Sequence, residues 1–285
     1  MRRSITSDYK RVVKVINNYY ATNRREFPWR AGGVRHKKVS PYAILVSELM
    51  LQQTQVDRVI PYYHAWCKRF PTVAALSQAT LSEVLLLWQG LGYNRRAKYL
   101  LESARLIMSR HRGKVPTTIE ALTALPGIGT YTAGAVLSFA YNQPSVLLET
   151  NIRTVLIHFF YEGVEKVSEK ELLATAHALW KVAEGIGMDA REWGYALMDY
   201  GAYLKKSGSN HVARSHHYKA QSVFKGSTRQ TRGAIIKELT TSTHTLSTLS
   251  NKIKKEKSSV EKALHSLVRD GLVTKKGARY LVATS

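Results

Sequence analysis

The sequence has little cysteine, few acidic residues and no long apolar run. Cys67 is the single cysteine among 285 residues, so an internal disulfide and any site built on several cysteine ligands, such as an iron–sulfur cluster, are excluded. No stretch approaches the roughly 18 to 20 apolar residues of a membrane-spanning helix, and the basic start of the chain lacks the pattern of a signal peptide. We therefore expect a cytoplasmic protein with no cofactor and no metal bound by side chains.

Acidic residues are also outnumbered by basic ones, 20 against 43, which gives a net charge of +23. Such an excess is costly in self-repulsion unless a polyanion is the usual partner, so nucleic acid is the leading partner class. A passive binding role and binding to an acidic membrane stay open, because charge does not say what is done to the partner. Hydrophobic residues make up 44% of the chain, which is enough to build a folded core.

Residues 8–203 combine helical apolar periodicity with short Pro, Gly or Ser signals between the periodic segments. Ser40 and Pro41, for example, are typical of a helix start. We find no alternation of apolar and polar residues in this part and expect a mainly α fold, with an all-helical domain over residues 1–205. The predicted helices after the first lie near 41–53, 56–70, 81–89, 95–111, 118–124, 131–141, 151–161, 168–185 and 192–205.

Beyond residue 205 the composition changes. Residues 206–227 contain no acidic residue and are rich in Ser, His and Gly, so we expect a basic linker or a loop that follows a DNA backbone. Residues 228–285 predict three helices, near 229–239, 246–255 and 258–270, and then a hairpin of two strands near 272–274 and 279–282. This order is typical of a small winged-helix-like domain.

The third of these helices predicts a buried stripe that includes Val268 and an outward face that includes Lys262 and Arg269. That face could read DNA. The alternative is a solvated face on a domain that docks onto the first domain or contacts a protein.

The run Leu125-Pro126-Gly127-Ile128-Gly129 lies between two predicted helices. Two glycines around an apolar residue predict a tight hairpin with outward-facing backbone amides. Such a turn at a helix N-terminus can hold a DNA phosphate, often through a bound monovalent cation, without sequence preference. An ordinary turn that joins two helices is the alternative.

Two glutamates, Glu48 and Glu149, are candidates for catalytic carboxyl groups. Glu48 lies between Ile44 and Leu51 on the apolar face of a predicted helix, so it is paired, protonated or placed at a cleft. A protonated carboxyl there would suit a general acid. Glu149 ends an extended apolar run at a helix start, where a carboxylate is commonly a helix N-terminal charge; facing the first carboxyl across a cleft, it would instead stabilise a sugar cation.

Five runs then point to a family by their order along residues 8–205. The runs are Phe27-Pro28-Trp29-Arg30, Ser47-Glu48-Leu49-Met50-Leu51-Gln52-Gln53-Thr54-Gln55-Val56, Gly90-Leu91-Gly92-Tyr93, Leu125-Pro126-Gly127-Ile128-Gly129 and Met198-Asp199-Tyr200-Gly201-Ala202. Together they resemble the MutY-type adenine DNA glycosylases of the helix-hairpin-helix base-excision superfamily. The resemblance implies two helical lobes with the DNA and an extruded base between them, and hydrolysis of the N-glycosidic bond of adenine opposite 8-oxoguanine or guanine.

The resemblance also implies catalytic roles. Glu48 matches the general acid that protonates the purine and manages the attacking water. Glu149 falls where the family has the Asp that stabilises the oxocarbenium-like sugar, and Asn151 matches the family's Asn two residues on. Tyr131 stands where bifunctional members carry the lysine that forms a Schiff base, and because a phenol cannot form that imine, a monofunctional enzyme using water is implied.

Further positions match residues that contact DNA. Gln53 and Tyr93 match residues that enter the base stack and fill the hole left by the flipped base. Arg30 matches an arginine of a motif lining the adenine pocket. Thr54 and Leu91, in the same runs, are further candidates for DNA contact, as are Pro126, Gly127, Ile128 and Gly129 of the hairpin.

The chain departs from the family in three places. The four cysteines that most relatives place after the last helix are missing from residues 203–227. The usual C-terminal domain of the family, which resembles a Nudix hydrolase and senses 8-oxoguanine, is replaced by the winged-helix-like unit. Glu149 is one methylene longer than the family's Asp.

We therefore expect a monofunctional DNA glycosylase that acts as a monomer on double-stranded DNA with a mispaired or damaged base, with no membrane partner. A thymine or uracil glycosylase acting on mispairs with G is one alternative. A lesion-binding DNA protein that kept the fold and lost the chemistry is the other.

Overall fold

The computed structural model describes residues 5–30, 39–216, 218, 223–224 and 226–284. The first four residues and part of the predicted basic linker, namely 217, 219–222 and 225, lie outside the described residues. Among the helices of the described ranges, none combines the length and the apolar character of a membrane span.

The described chain up to residue 206 is helical, as predicted. The helices are α1 (Ile5–Asn23), α2 (Pro41–Leu51), α3 (Val56–Arg69), α4 (Val73–Ser77), α5 (Leu81–Trp88), α6 (Arg95–His111), α7 (Ile119–Thr123), α8 (Thr130–Tyr141), α9 (Thr150–Phe160), α10 (Glu169–Gly185) and α11 (Ala190–Lys206). The short α4 and a 3-10 turn at Pro28–Arg30 were not predicted, because neither is long enough to show an apolar period.

The C-terminal elements form what we call the C-terminal module. It consists of α12 (Thr228–Leu239), β1 (His244–Thr245), α13 (Leu246–Ile253), α14 (Lys257–Arg269), β2 (Val273–Lys276) and β3 (Arg279–Val282). The strands form an antiparallel sheet in the order β1-β3-β2, and Gly277, with φ +57°, lies in the tight turn between β2 and β3. The three helices and the hairpin agree with the sequence, the two-residue β1 was missed, and the winged-helix interpretation stays a prediction.

One residue of α14 corrects the sequence-based prediction. Val260, Ala263, Leu264 and Leu267 are buried, as their spacing predicts, whereas Val268 is 40% exposed. Val268 follows Leu267 directly at the end of the helix, so it lies at the edge of the buried stripe, about 100° further round the helix.

The described residues divide into two compact units, and their division differs from the predicted domain boundary at residue 205. The first unit contains α1, the start of α2 and α8–α11; the second contains the rest of α2, α3–α6, most of α7 and the C-terminal module. The predicted domains 1–205 and 228–285 therefore do not coincide with the two units. The module belongs to the same unit as α3–α6.

In the first unit, α11 packs against α1, α8 and α9. The rings of Phe139 and Tyr195 stack at 4.6 Å, and Val12 and Ile16 are buried on α1. The segment after α11 also belongs to this core: Val212 is buried, and Ser215 forms an isolated bridge with Val167. This part of the predicted linker 206–227 thus makes contacts with the first unit.

In the second unit, aromatic side chains fill the space between α3 and α5. Trp66, Phe70 and Trp88 are fully buried, and the rings of Trp66 and Trp88 meet edge to face at 5.5 Å. A capping box begins α5: the backbone N–H of Glu83 donates to the Thr80 hydroxyl, and the backbone N–H of Thr80 donates to the Glu83 carboxylate.

Arg96, in the first turn of α6, ties two turns of the second unit together. Its side chain is buried among acceptors, to which the guanidinium donates hydrogen bonds between 2.6 and 3.3 Å long. The acceptors are the carbonyl oxygens of Leu49, Met50, Gln52, Leu91 and Gly92 and the hydroxyl of Thr54. Burial lowers the pKa of Arg96 to about 10, which leaves it charged at neutral pH. The last carbonyls of a helix lack partners within that helix, and Arg96 supplies donors to those of α2.

We expect Arg96→Ala to lower the free energy of unfolding by about 3 kcal/mol or more, because it leaves several buried carbonyl groups without a donor. Denaturant titration measures this change. Arg95→Ala is the matched control: its side chain is 55% exposed, and we expect a change within about 0.5 kcal/mol. Equal effects of the two substitutions would contradict this role of Arg96.

Candidate active site

Glu48 lies on α2 in a mostly apolar stretch of the helix. Its side chain is buried, and so are its neighbours Ser47, Leu49 and Met50. The helix begins as the sequence predicts, with the Ser40 hydroxyl accepting a hydrogen bond from the backbone N–H of Ala43. The structure thus buries a carboxyl group on a helix whose flanking residues are mostly apolar.

The two residues expected to enter the base stack share an uncommon backbone conformation. Gln53 has φ +55° and Tyr93 has φ +49°, both in the left-handed region that non-glycine residues rarely adopt. Such conformations persist where the surroundings fix them, and they cluster at functional sites. Arg96 supplies that fixation, because it donates to the carbonyl oxygen directly before each of them, on Gln52 and on Gly92.

Gln53 and Tyr93 line two neighbouring cavities of the second unit, which we call cavity A and cavity B. Cavity A has a volume of about 450 Å³ and is also lined by Tyr99 and Gly127. Cavity B has a volume of about 550 Å³ and is also lined by Thr54 and Leu91. The structure therefore brings together the predicted DNA-contacting residues of three sequence runs. The side chain of Leu91 is itself buried, so it offers little surface to a ligand.

The hairpin has the predicted shape. Gly127 has φ +75°, and the Ile128 N–H donates to the Leu125 carbonyl oxygen at 3.2 Å. Gly127 and Gly129 are exposed, and α8 begins at Thr130 directly after them. Ile128 is buried and its N–H is engaged by Leu125, so among these three residues the two glycines offer the exposed surface.

Glu149 is the N-cap residue of α9. Its Oε1 accepts hydrogen bonds from the backbone N–H groups of Asn151 at 2.8 Å and Ile152 at 2.9 Å, and Asn151 Nδ2 donates to Oε2 at 3.1 Å. Lys205 lies nearby and donates to the Thr150 hydroxyl at 2.8 Å. Burial lowers the pKa of Lys205, and the negative charge of Glu149 opposes that shift. Glu149 thus carries its charge at the N-terminus of α9, as one of the two interpretations of the sequence states. The Asn151 side chain is hydrogen-bonded to the same carboxylate.

Gly201, from the last of the five runs, explains how α11 reaches Asn151. A Cβ built at Gly201 would lie 2.3 Å from the Asn151 carbonyl oxygen, a distance that no side chain can adopt. Only glycine therefore allows this contact between α9 and α11.

Tyr131, the second residue of α8, is half-buried in the same unit as α9 and α11.

The structure shows what Arg30 contacts, while its place in the adenine pocket stays a prediction. Its guanidinium is buried and forms a two-fold ion pair with Asp199, with Nη1–Oδ2 at 2.9 Å and Nη2–Oδ1 at 3.0 Å. Arg25 Nε donates to the same carboxylate at 2.7 Å. Because both terminal nitrogens of Arg30 are engaged by Asp199, the residue fastens the Phe27-Pro28-Trp29-Arg30 run to α11.

The two candidate DNA-contacting residues of α14 separate in the structure. Both are exposed, but Arg269 lines cavity A, whereas Lys262 lines neither cavity A nor cavity B. Sequence reasoning missed Arg96 and Arg229, which also line cavity A. No sequence signal distinguishes them, since each stands in a basic helix beside other arginines.

Comparison with known proteins gives a family model and a group of relatives. The model described as "HhH-GPD superfamily base excision DNA repair protein" matches residues 46–181. An adenine DNA glycosylase from Mycolicibacterium smegmatis is 36% identical, with 90% of each chain covered. One from Buchnera aphidicola is 38% identical over 67% of this chain and 51% of its own length, and one from Rattus norvegicus is 38% identical over 65% and 36%. The chain thus spans about half of the Buchnera relative and about a third of the rat one.

Solved structures give the same architecture. A thermostable thymine-DNA glycosylase superposes with a TM-score of 0.58 and 28% identity, covering 70% of this chain and 88% of that one. A trapped covalent intermediate of endonuclease III with DNA gives a TM-score of 0.55 at 17% identity, covering 77% and 91%. The similarity to endonuclease III, at 17% identity, is a similarity of fold alone.

We expect Gly127→Ala and Gly129→Ala to differ in their effect on stability. An alanine at position 127 would adopt a left-handed conformation and place its Cβ 2.7 Å from the Tyr99 ring, so we expect a loss of at least about 1 to 2 kcal/mol in the free energy of unfolding. A Cβ at position 129 meets no atom within 4 Å, so the loss there stays within about 0.5 kcal/mol. Denaturant titration of both variants tests the hairpin geometry, and equal losses would refute it.

Proposed function

We propose that this chain, which belongs to the HhH-GPD superfamily of base-excision DNA repair proteins, is a monofunctional adenine DNA glycosylase acting on adenine opposite 8-oxoguanine or guanine. Its adenine DNA glycosylase relatives support an enzyme that removes adenine from mispairs. The observation that carries the proposal is the buried Glu48 on a helix whose following turn presents Gln53. One short segment thereby supplies both a protonatable group and a residue for the base stack.

Glu48 acts as the proton donor in the proposed reaction. Its protonated carboxyl gives the proton to a ring nitrogen of adenine, the bond from the sugar C1′ to the base breaks, and the bonding electron pair leaves with the base. A water molecule then adds to C1′ and gives a proton to the Glu48 carboxylate, which restores the acid. Every atom and charge is accounted for by water and this one carboxyl group.

Glu149 stabilises the sugar cation in the proposed mechanism. Its side chain folds back onto its own helix, where two backbone N–H groups and Asn151 hold the carboxylate in place. Attraction between a carboxylate and a cation falls off as 1/r, so it tolerates some displacement better than covalent attack does. Glutamate can therefore supply the charge at a position where the family has aspartate.

Tyr131 supports water as the nucleophile. It stands where bifunctional relatives carry a lysine, and a phenol forms no imine with a sugar aldehyde. The proposed product is an intact strand with an abasic site, and strand cleavage falls to another enzyme.

We propose double-stranded DNA as the partner of a monomeric enzyme. The exposed glycines of the hairpin at the N-terminus of α8 allow a backbone phosphate to approach, with a monovalent cation between them. No iron–sulfur cluster is part of this proposal. Four cysteine ligands are needed for one, the sequence holds Cys67 alone, and in the segment after α11 Val212 and Ser215 are buried in packing contacts.

A second candidate function is removal of thymine or uracil from a mispair with G. The likeness to a thymine-DNA glycosylase at 28% identity favours it. A panel of duplexes with A opposite 8-oxoguanine, A opposite G, T opposite G and U opposite G separates the two candidates by which base is released.

We expect Glu48→Gln to abolish adenine release while DNA affinity stays within a few-fold of the parent, because the amide keeps the shape of the side chain and cannot donate the acid proton. Base release is measured by alkaline cleavage of a labelled duplex, and affinity by fluorescence anisotropy. Glu120→Gln, at an exposed position of α7, is the matched control and should retain activity. Persistent release by Glu48→Gln, or a covalent DNA adduct trapped by borohydride, would contradict the mechanism.

Glu149→Gln is expected to reduce turnover at least about tenfold, a barrier increase of about 1.4 kcal/mol, with little loss of stability. The amide oxygen of Gln still accepts the two backbone hydrogen bonds of the cap, loses the one from Asn151 Nδ2 and carries no charge, so this variant keeps the cap and removes the charge. Glu149→Asp should be slowed less than Glu149→Gln. Single-turnover kinetics measure both; a Gln variant as fast as the parent would leave Glu149 as a helix cap alone.

A further inference from the structure

Cavity A is strongly basic, and the C-terminal module supplies much of its charge. Five arginines and one aspartate line it, from α6, α12, α14 and the residue after α14. They are Arg95, Arg96, Arg229, Arg232, Arg269 and Asp270.

Asp270 is already engaged by two of these arginines. Arg232 Nη2 lies 2.6 Å from Oδ2, and Arg95 Nη1 lies 3.4 Å from Oδ1. Arg96 is engaged by backbone carbonyls. The positive charge of Arg269 is therefore not balanced by a carboxylate among the described residues that line the cavity.

Arg229 makes contact with the residue expected to enter the base stack. Its guanidinium donates a hydrogen bond to the Tyr93 hydroxyl and lies 5.0 Å from the centre of the Tyr93 ring. On another side it lies 5.3 Å from the ring of Phe224, which is 52% exposed. A guanidinium next to aromatic rings gains cation–π attraction, and this contact restricts the rotamers of Tyr93.

Hydrogen bonds join the C-terminal module to the end of α5 and to α6. Gln89 Nε2 donates to the Thr240 hydroxyl at 2.9 Å, and Lys98 Nζ donates to the Asp270 carbonyl oxygen at 3.0 Å. A Cβ at Gly271 would lie 2.4 Å from Lys98 Nζ, the end of a flexible side chain, so a larger residue there would require Lys98 to shift. The C-terminal module and α6 therefore both line cavity A.

We propose that the C-terminal module forms one wall of a DNA-binding groove whose other wall carries Gln53 and Tyr93. In this groove Arg269 binds a backbone phosphate and Arg229 is a positioning residue that holds Tyr93. The proposal rests on the proposed function, because that function makes Gln53 and Tyr93 the residues of the base stack. It differs from the predicted use of α14 as a reading helix, since the end of α14 contacts the DNA and its outward face, with Lys262, does not.

The phosphate contact is tested by the salt dependence of binding. Anisotropy titrations with an undamaged duplex, over a range of salt concentrations, give the slope of log Kobs against log salt for the parent, Arg269→Ala, Arg269→Lys and Lys262→Ala. We expect the slope to become shallower by about one for Arg269→Ala and to be unchanged for Arg269→Lys and for Lys262→Ala, the matched loss of one charge on the same helix. An unchanged slope for Arg269→Ala, or a shallower slope for Lys262→Ala alone, would overturn the proposal.

The positioning part is tested by a double-mutant cycle. Arg229→Ala, Tyr93→Ala and the double variant, each made in Glu48→Gln so that the base is not released, are compared by their loss of affinity for a duplex with A opposite 8-oxoguanine. Thermal unfolding first shows that each is folded at the assay temperature. We expect the double variant to lose no more affinity than about the larger single loss, because both substitutions remove one contact. Losses that multiply would show that the two residues act independently.

Failure of the groove and failure of the proposed function give different results. The salt titrations use undamaged DNA and need no base release. If the parent releases no base from any mispair while Arg269→Ala still makes the slope shallower, the glycosylase proposal fails and the groove stands. If adenine is released and Arg269→Ala leaves the slope unchanged, the groove fails and the enzyme stands.

Discussion

The second unit depends on the burial of one guanidinium. Arg96 donates to carbonyl oxygens at the end of α2 and in the turn before α6, and these two turns carry Gln53 and Tyr93. Both residues adopt left-handed backbone conformations, which are unfavourable in a turn without support from its surroundings. The Arg96 guanidinium thereby fixes the backbones of Gln53 and Tyr93 relative to each other. The helix that carries Glu48 also ends at carbonyl groups bonded to Arg96. The chemistry assigned to Glu48 and the DNA contact assigned to Gln53 thus share one support.

The first unit uses a carboxylate for the same purpose. Asp199 receives Arg25 and Arg30, which joins the Phe27-Pro28-Trp29-Arg30 run to α11, and Gly201 on that helix lets the start of α9 approach. The start of α9 carries Glu149 and Asn151. The ion pair of Asp199 and the close contact of Gly201 thus lie on one helix, α11, which packs against the start of α9.

The sequence predicted the helices because their apolar residues recur with the helical period, and it predicted the hairpin because glycine and proline restrict the backbone there. It could not predict the acceptors of Arg96 or the ion pair of Arg30, since which carbonyl or carboxylate a guanidinium meets depends on packing between distant segments. Glu149 shows the same limit: the motif located the residue, but only the structure shows its cap geometry. Nor could the sequence place the C-terminal module beside α6, because nothing local encodes contacts across about 150 residues.

The second unit is discontinuous along the chain, and this affects how it is made. Its early segments, α3–α6, are synthesised long before the module that packs on them, and the contacts of Gln89 with Thr240 and of Lys98 with Asp270 close loops of 151 and 172 residues. Long-range closure slows folding, and partly built units expose apolar surface. On the ribosome, the first unit has all its segments before residues 226–284 emerge, so the second unit is completed last.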